Sequence, residues 1–168
     1  MVRRLTGTAD PMTDYRIATA ADIPVIHALL VENAVHDGGT LAGTEDSLRR
    51  HGFGPLPRFR VILATNGSAV LGLTMIFPEY SSWRGQVGLF VQDLYLCPAA
   101  RGQGTGRGLL AAAVRLCPDW DPAFVTLMVQ HTNLAARAFY ARQGFVLRQQ
   151  ADILICEGAA LAALTRAD

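Results

Sequence analysis

The segment from Asp93 to Leu110, DLYLCPAARGQGTGRGLL, constrains this chain more than any other. An apolar, β-prone run ends at Cys97-Pro98, glycine then occupies every second position from 102 to 108, and an apolar helical pattern follows. Strand, glycine-rich turn and helix in that order expose backbone amides at a helix N-terminus, and glycines let a ligand approach them closely. A phosphate-bearing cofactor is implied. Two common phosphate loops do not fit. A Walker loop needs Lys before Ser or Thr, and the chain contains no lysine. The dinucleotide fingerprint GxGxxG meets Arg107 in the frame from Gly102 and Leu109 in the frame from Gly104. A glycine-rich turn that only packs tightly is the plain alternative.

The rest of the chain supplies a core for such a turn. Its 168 residues are 51% hydrophobic and only 17% charged, which excludes disorder and suits one domain. The apolar runs Ala69 to Phe77 and Ala159 to Leu164 are far too short to cross a bilayer. The start, MVRRLTGTADPMTD, has arginines but no apolar h-region, so it resembles a loose leader over 1–13, with Met12 as an alternative start. A single domain over 14–168 is expected after it. With 15 basic and 14 acidic side chains and no basic run, nothing attracts nucleic acid. Cys97, Cys117 and Cys156 form no CxxC, and His27, His36, His51 and His131 stand singly, so neither a disulfide framework nor a metal site is expected. Reduced thiols in the cytoplasm are the natural setting.

Hydrophobic periodicity gives the element order. Tyr15 to Ala18 is a short strand, and Thr19 with Asp22 has the spacing of a capping box. Ile23, Ile26, Leu30 and Ala34 form the stripe of a first helix, for which Pro24 leaves Asp22 as an alternative cap. Gly-rich His36 to Gly43 is a loop, and Thr44-Glu45-Asp46 opens a short second helix. Phe59 to Thr65, Ala69 to Phe77 and Gln86 to Cys97 predict an antiparallel meander, turned at Asn66-Gly67-Ser68 and at Tyr80 to Gly85. After the glycine turn, Leu109, Leu110, Ala113, Val114 and Leu116 predict one apolar helix face, and Ala123 to Gln130 a strand. Asn133 is placed to cap a helix through Arg142, and Gly144 to end it. Phe145 to Gln149 and Asp152 to Cys156 predict a closing hairpin, and Ala159 to Thr165 a last helix. The fold class is mixed α/β, a central and mostly antiparallel twisted sheet flanked by helices.

Arg101-Gly102-Gln103-Gly104-Thr105-Gly106 fits the (Gln/Arg)xxGx(Gly/Ala) signature and resembles the GNAT superfamily of acetyl-CoA-dependent N-acetyltransferases. A second block, NLAARAFYARQGF over 133–145, resembles that family's later helix. The strings EDSLRRHGFGPLPRFRVILA, YSSWRG and VQDLYLCPAARGQGTG are similar to the diamine or spermidine/spermine branch. The resemblance implies acetyl-CoA as cofactor, a homodimer, and a small-molecule amine as acceptor: a diamine, polyamine or lysine-like amine. It implies that Leu94, Tyr95 and Leu96 hold the pantetheine arm, and that Arg101, Gly102, Gln103, Gly104, Thr105, Gly106 and Arg107 surround the pyrophosphate. Asn133 and Ala136 would lie along the pantetheine, and the Tyr140 hydroxyl near the cofactor sulfur, where it protonates the departing thiolate.

An amine of pKa ~10 is protonated at neutral pH, so a base is needed before it can attack the thioester. A strand amide would then stabilise the tetrahedral oxyanion. The diamine branch carries a glutamate where this chain has Gln92, and an amide is no base. Asp93 is next to it, but strand alternation turns neighbours to opposite faces, so Asp93 replaces that glutamate only across a bulge. His36 and Asp37 fall where the related enzymes hold their amine; they are alternatively plain polar loop residues. Glu79 and Asp152 are candidates for a cationic substrate's far end. Two rival readings share the cofactor site: an acyl-CoA-binding module with impaired catalysis, and an acetyltransferase acting on proteins or antibiotics.

Overall fold

A computed structural model describes residues 13–148 and 154–164. The chain divides into two compact units, Met1–Met128 and Val129–Asp168. The first holds a five-stranded sheet in the order β1-β2-β3-β4-β5, with β1 Asp14–Ile17, β2 Arg60–Asn66, β3 Ala69–Ser81, β4 Gln86–Leu96 and β5 Val125–Leu127. The first four strands pair antiparallel, and β5 lies parallel to β4. The expected meander is present, with β3 longer than expected at its C-terminal end. The strand expected over Ala123 to Gln130 is reduced to Val125–Leu127, because only Leu89 to Val91 of β4 pair with it.

Each strand of the meander alternates between two apolar layers. Val61, Leu63, Leu73 and Met75 face helix α1 (Ile23–His36) and helix α2 (Glu45–Gly52), where Ile23, Ile26, Leu29, Leu30 and Leu48 are buried. Ile62, Ala64, Ile76, Leu89 and Val91 face helix α3 (Thr105–Arg115). The α3 face differs from expectation at two positions: Ala112 is buried with Leu109 and Ala113, while Val114 is 39% exposed. Alanines at that seam let the helix lie close to the sheet. Burying each large aliphatic side chain in these layers contributes about 1.5–3 kcal/mol.

Caps set the helix ends. Thr19 and Asp22 form the capping box of a short 3-10 turn, and Asp22 is then the cap of α1, with Pro24 in its first turn. The Thr44 hydroxyl accepts from the Ser47 amide at 3.1 Å to start α2.

The pairing of β3 with β4 is irregular at one point. Met75 pairs with Asp93, but Ile76 pairs with Val91, so Gln92 is an extra residue in β4. This β-bulge shifts the phase of the strand. Leu89 and Val91 face α3 before it, and Leu94 and Leu96 face α3 after it, so Asp93 and Tyr95 are turned to the α1 side.

The second unit contains helix α4 (Leu134–Arg142) and helix α5 (Gly158–Leu164). Asn133 Oδ1 accepts from the Ala136 amide at 3.0 Å, the cap expected from the sequence, and Gly144 ends α4 with φ of 89°. Residues 145–148 and 154–157 are not strands, because no ladder forms there among the described residues. The rest of the expected hairpin, including Asp152, and Thr165 lie outside the described residues.

Candidate active site

The glycine turn separates into two kinds of position. Gly102 and Gly104 have φ of 74° and 82°, a left-handed backbone that favours glycine, and nothing of the protein lies within 4 Å of where a Cβ would stand. Gly104 is the cap of α3 and has no side chain to satisfy the amides of Thr105, Gly106 and Arg107 in the first turn. Those amides, with the positive end of the helix, are therefore left without a side-chain acceptor from the cap. Gly108 differs: a Cβ there would collide with the Tyr15 ring and hydroxyl, so this glycine serves close packing of α3 on β1. Thr105 and Gly106 are buried. Arg101 Nε donates to the Leu96 carbonyl at 3.1 Å, and Gln103 Nε2 to the Ala99 carbonyl at 2.8 Å. These two side chains brace the turn.

Beyond Val91, β4 loses its pairing with β5 but keeps β3, so on the side away from β3 Leu94 and Leu96 have no neighbouring strand among the described residues. Tyr95 is 5% exposed, and its Oη donates to Glu32 Oε2 at 2.9 Å. The Leu96 carbonyl on that edge accepts from Arg101, so what β4 leaves there is the backbone of Leu94 and the Leu96 amide.

On the α1 side the bulge brings Asp93 into a cavity of about 300 Å³. Leu30, Ala34, Leu41, Leu48 and Met75 form its apolar wall, and His27, Asn33, Asp37, Ser47 and Asp93 supply polar groups. Asn33 Nδ2 donates to Asp93 Oδ1 at 3.0 Å. Burial pushes the Asp93 carboxyl above the ordinary carboxylate range; the Asn33 hydrogen bond opposes this, and the charge of Asp37 adds to it. His27 Nε2 lies 3.0 Å from the Gly43 carbonyl, where it must be the donor, and so ties α1 to the loop closing the cavity. A carboxyl perturbed by burial in a cleft marks a candidate catalytic acid or base.

Of the acceptor-site residues expected from sequence, Asp37 lines this cavity, whereas His36 and Gln92 are exposed and do not. Glu79 accepts from the Thr126 hydroxyl and lies apart from it. The sequence reading missed Asn33 and His27, though both interrupt the apolar stripe of α1 with polar groups. In the second unit, Tyr140 stacks edge-to-face with Phe139 and Phe145 at centroid distances of 5.1 and 5.4 Å.

Comparison with known proteins assigns this arrangement. The profile of the acetyltransferase (GNAT) family matches residues 28–145. The chain belongs to the GNAT family. Among curated relatives, a thialysine N-epsilon-acetyltransferase of Bos taurus is 28% identical over 109 residues, which covers 60% of this chain and 64% of that protein. An L-ornithine N5-acetyltransferase of Arabidopsis thaliana is 26% identical over 101 residues, 60% of this chain and 44% of the relative. The matches thus span less than two thirds of these relatives' length. A crystal structure of an aminoglycoside acetyltransferase from an uncultured soil metagenomic sample, in complex with sisomicin, shares the GNAT fold with a TM-score of 0.69 at 14% identity, over 85% of this chain and 94% of that one. No helix among the described residues is long and apolar enough to cross a membrane.

Proposed function

We propose that this GNAT protein is an acetyl-CoA-dependent N-acetyltransferase whose acceptor is a primary amine of a small molecule: a diamine, polyamine or lysine-like amine. The observation that carries this reading is the position of Asp93, which follows the bulge just past the last β4–β5 pair and lines the cavity.

The residues fit the cofactor. Gly102 and Gly104 leave open space above a left-handed backbone, and the amides from Gln103 to Arg107 would hold the pyrophosphate. The edge backbone of Leu94 and Leu96 would hold the pantetheine arm, and Asn133 and Ala136 of the second block are assigned to the same arm by family resemblance. The bound acetyl thioester supplies a carbonyl carbon open to attack by a neutral amine.

The chain must deliver that amine neutral. Asp93 is the group assigned to take its proton, because Asn33 engages Oδ1 and Oδ2 is the oxygen left for the acceptor. An upward-shifted carboxyl is the better match to an amine, since proton transfer is most effective when the base's pKa approaches the working pH. The apolar wall takes part of the amine's hydration shell, which disfavours its charged form. The hydroxyl proton of Tyr140 is assigned to the leaving thiolate. We also assign residues 14–168 to one functional domain that works as a homodimer.

The test is release of free thiol from acetyl-CoA by the full chain, across diamines, polyamines, lysine analogues, peptides and aminoglycosides. Turnover with small primary amines is expected. Acetyl-CoA binding by calorimetry with no turnover across the panel overturns the reading in favour of a binding module.

A further inference from the structure

We infer that Thr74 is a positioning residue for the cofactor: its hydroxyl holds the Asp93–Leu94 peptide so that the Leu94 amide is presented on the side of β4 away from β3. This rests on the acyl-CoA reading for the identity of the ligand.

Thr74 stands where an aliphatic residue would pack. It lies between Leu73 and Met75, which face α1, so its own side chain is turned to the α3 layer. Its cross-strand partners are Ile62 on β2 and Leu94 on β4, both apolar members of that layer. Thr74 is 0% exposed. Valine has the strand preference and nearly the same volume, whereas a hydroxyl taken from water into an apolar layer is costly unless it finds a partner. The partner is specific: Thr74 Oγ1 donates to the backbone carbonyl of Asp93 at 2.9 Å.

That carbonyl belongs to the peptide just past the bulge. Gln92 is the extra residue, the ladder is disrupted there and the strand bends, and the Thr74 hydrogen bond fixes the peptide joining Asp93 to Leu94. The peptide is trans, so its C=O and N–H point in opposite directions. With the carbonyl turned to Thr74 on β3, the Leu94 amide is turned away from β3, to the side where β4 has no neighbouring strand among the described residues. A hydrogen bond accepted by the carbonyl also polarises the peptide and makes its N–H a stronger donor. The Leu94 amide is thus both aimed and strengthened for a carbonyl oxygen of acyl-CoA. Asp93 is held from both faces of the sheet, its carbonyl by Thr74 and its carboxyl by Asn33.

Two substitutions separate the hydroxyl from packing. Thr74→Val keeps the volume and removes the donor, and Thr74→Ser keeps the donor and removes a methyl. Coenzyme A is titrated into the full chain and into each variant, with affinity read by calorimetry and the backbone amides of Leu94 and of 103–107 followed by NMR. Thr74→Val should weaken coenzyme A about three- to tenfold and shrink the response of the Leu94 amide, while the amides of 103–107 still respond at saturation. Thr74→Ser should stay within about twofold of the parent, the size of a small change in a single hydrogen bond. A packing role would make serine the more damaging of the two. Affinity and Leu94 response that survive in Thr74→Val, or a loss in Thr74→Ser as large as in Thr74→Val, overturns this inference alone. A parent chain that binds no coenzyme A overturns the acyl-CoA reading, and this inference with it.

Discussion

Asn33 on α1 donates its side-chain amide to Oδ1 of Asp93 on β4 at 3.0 Å, and so fixes this half-buried acid of the cavity by a single oxygen. The bond favours the ionised carboxyl, against burial and against the charge of Asp37, both of which favour the protonated one. Asp93 is thereby orientated while its second oxygen is left for the acceptor.

Asp93→Asn should therefore lower kcat/KM by about two to four orders of magnitude, the usual range for loss of a general base. The side chain keeps its size, and the site of the amides from Gln103 to Arg107 is untouched. Calorimetry should show acetyl-CoA affinity nearly unchanged. Activity within a factor of a few of the parent would remove Asp93 from the mechanism.

The pH dependence has a definite sign. The Asp93 carboxyl is raised in the folded chain, so above the ordinary carboxylate range the native state holds a proton that the unfolded state has released. Stability should fall as pH rises through that window, and the acid limb of kcat/KM should lie above the usual carboxylate range. Asn33→Leu removes the bond that favours ionisation, so the limb should move to still higher pH. Asn33→Asp places a second acid against Asp93 and should move it the same way. A pH profile that stays in place in both variants would separate the limb from Asp93.

The four alternating glycines should respond in two ways. Gly104→Ala forces a side chain into left-handed backbone at a cost of about 1–2 kcal/mol and places a methyl over the amide site. It should weaken acetyl-CoA binding, read by calorimetry. Gly108→Ala meets the Tyr15 ring instead, so it should lower the melting temperature, and Tyr15→Leu should restore part of that loss. Equal effects of the two glycine variants on binding would contradict this division.

The glycine turn and the meander were legible because their signals are local: positive-φ glycines, an Asn-Gly hairpin, and capping residues at Thr19, Thr44 and Asn133. The site depended on a phase. In LFVQDLYL the apolar positions 89 and 91 are followed by 94 and 96, a step of three in a period of two, and that slip is the bulge at Gln92. Whether Asp93 faces α1 or α3 is decided by the slip, which strict alternation conceals. Asn33 and His27 were hidden by long-range pairing, since neither the 60-residue separation from Asp93 nor the loop carbonyl of Gly43 is written in helix periodicity. The short β5 was overestimated because Val125 to Val129 is apolar but for Thr126, while strand length is set by how far β4 stays in register.

Tyr140→Phe should lower kcat by about ten- to a hundredfold if its hydroxyl supplies the thiolate's proton, within or below the usual range for a general acid. The ring keeps its edge-to-face contacts with Phe139 and Phe145. Unchanged kcat across the pH range would discard the acid role.

Gln92→Glu distinguishes the two candidate positions for the base. In the diamine branch the acid stands at this position, so if its absence limits catalysis the substitution should raise turnover of diamines. The bulge argues otherwise, because Gln92 is the exposed extra residue while Asp93 enters the cavity. A carboxylate at Gln92 should leave turnover within about twofold in the parent and should not rescue Asp93→Asn, whose loss is by contrast about a hundredfold or more. The measurement is kcat/KM for cadaverine in Gln92→Glu, in Asp93→Asn and in the double variant. Recovery of the double variant toward the parent would show that the exposed position can accept the proton, and would return the base to the place where the family resemblance puts it.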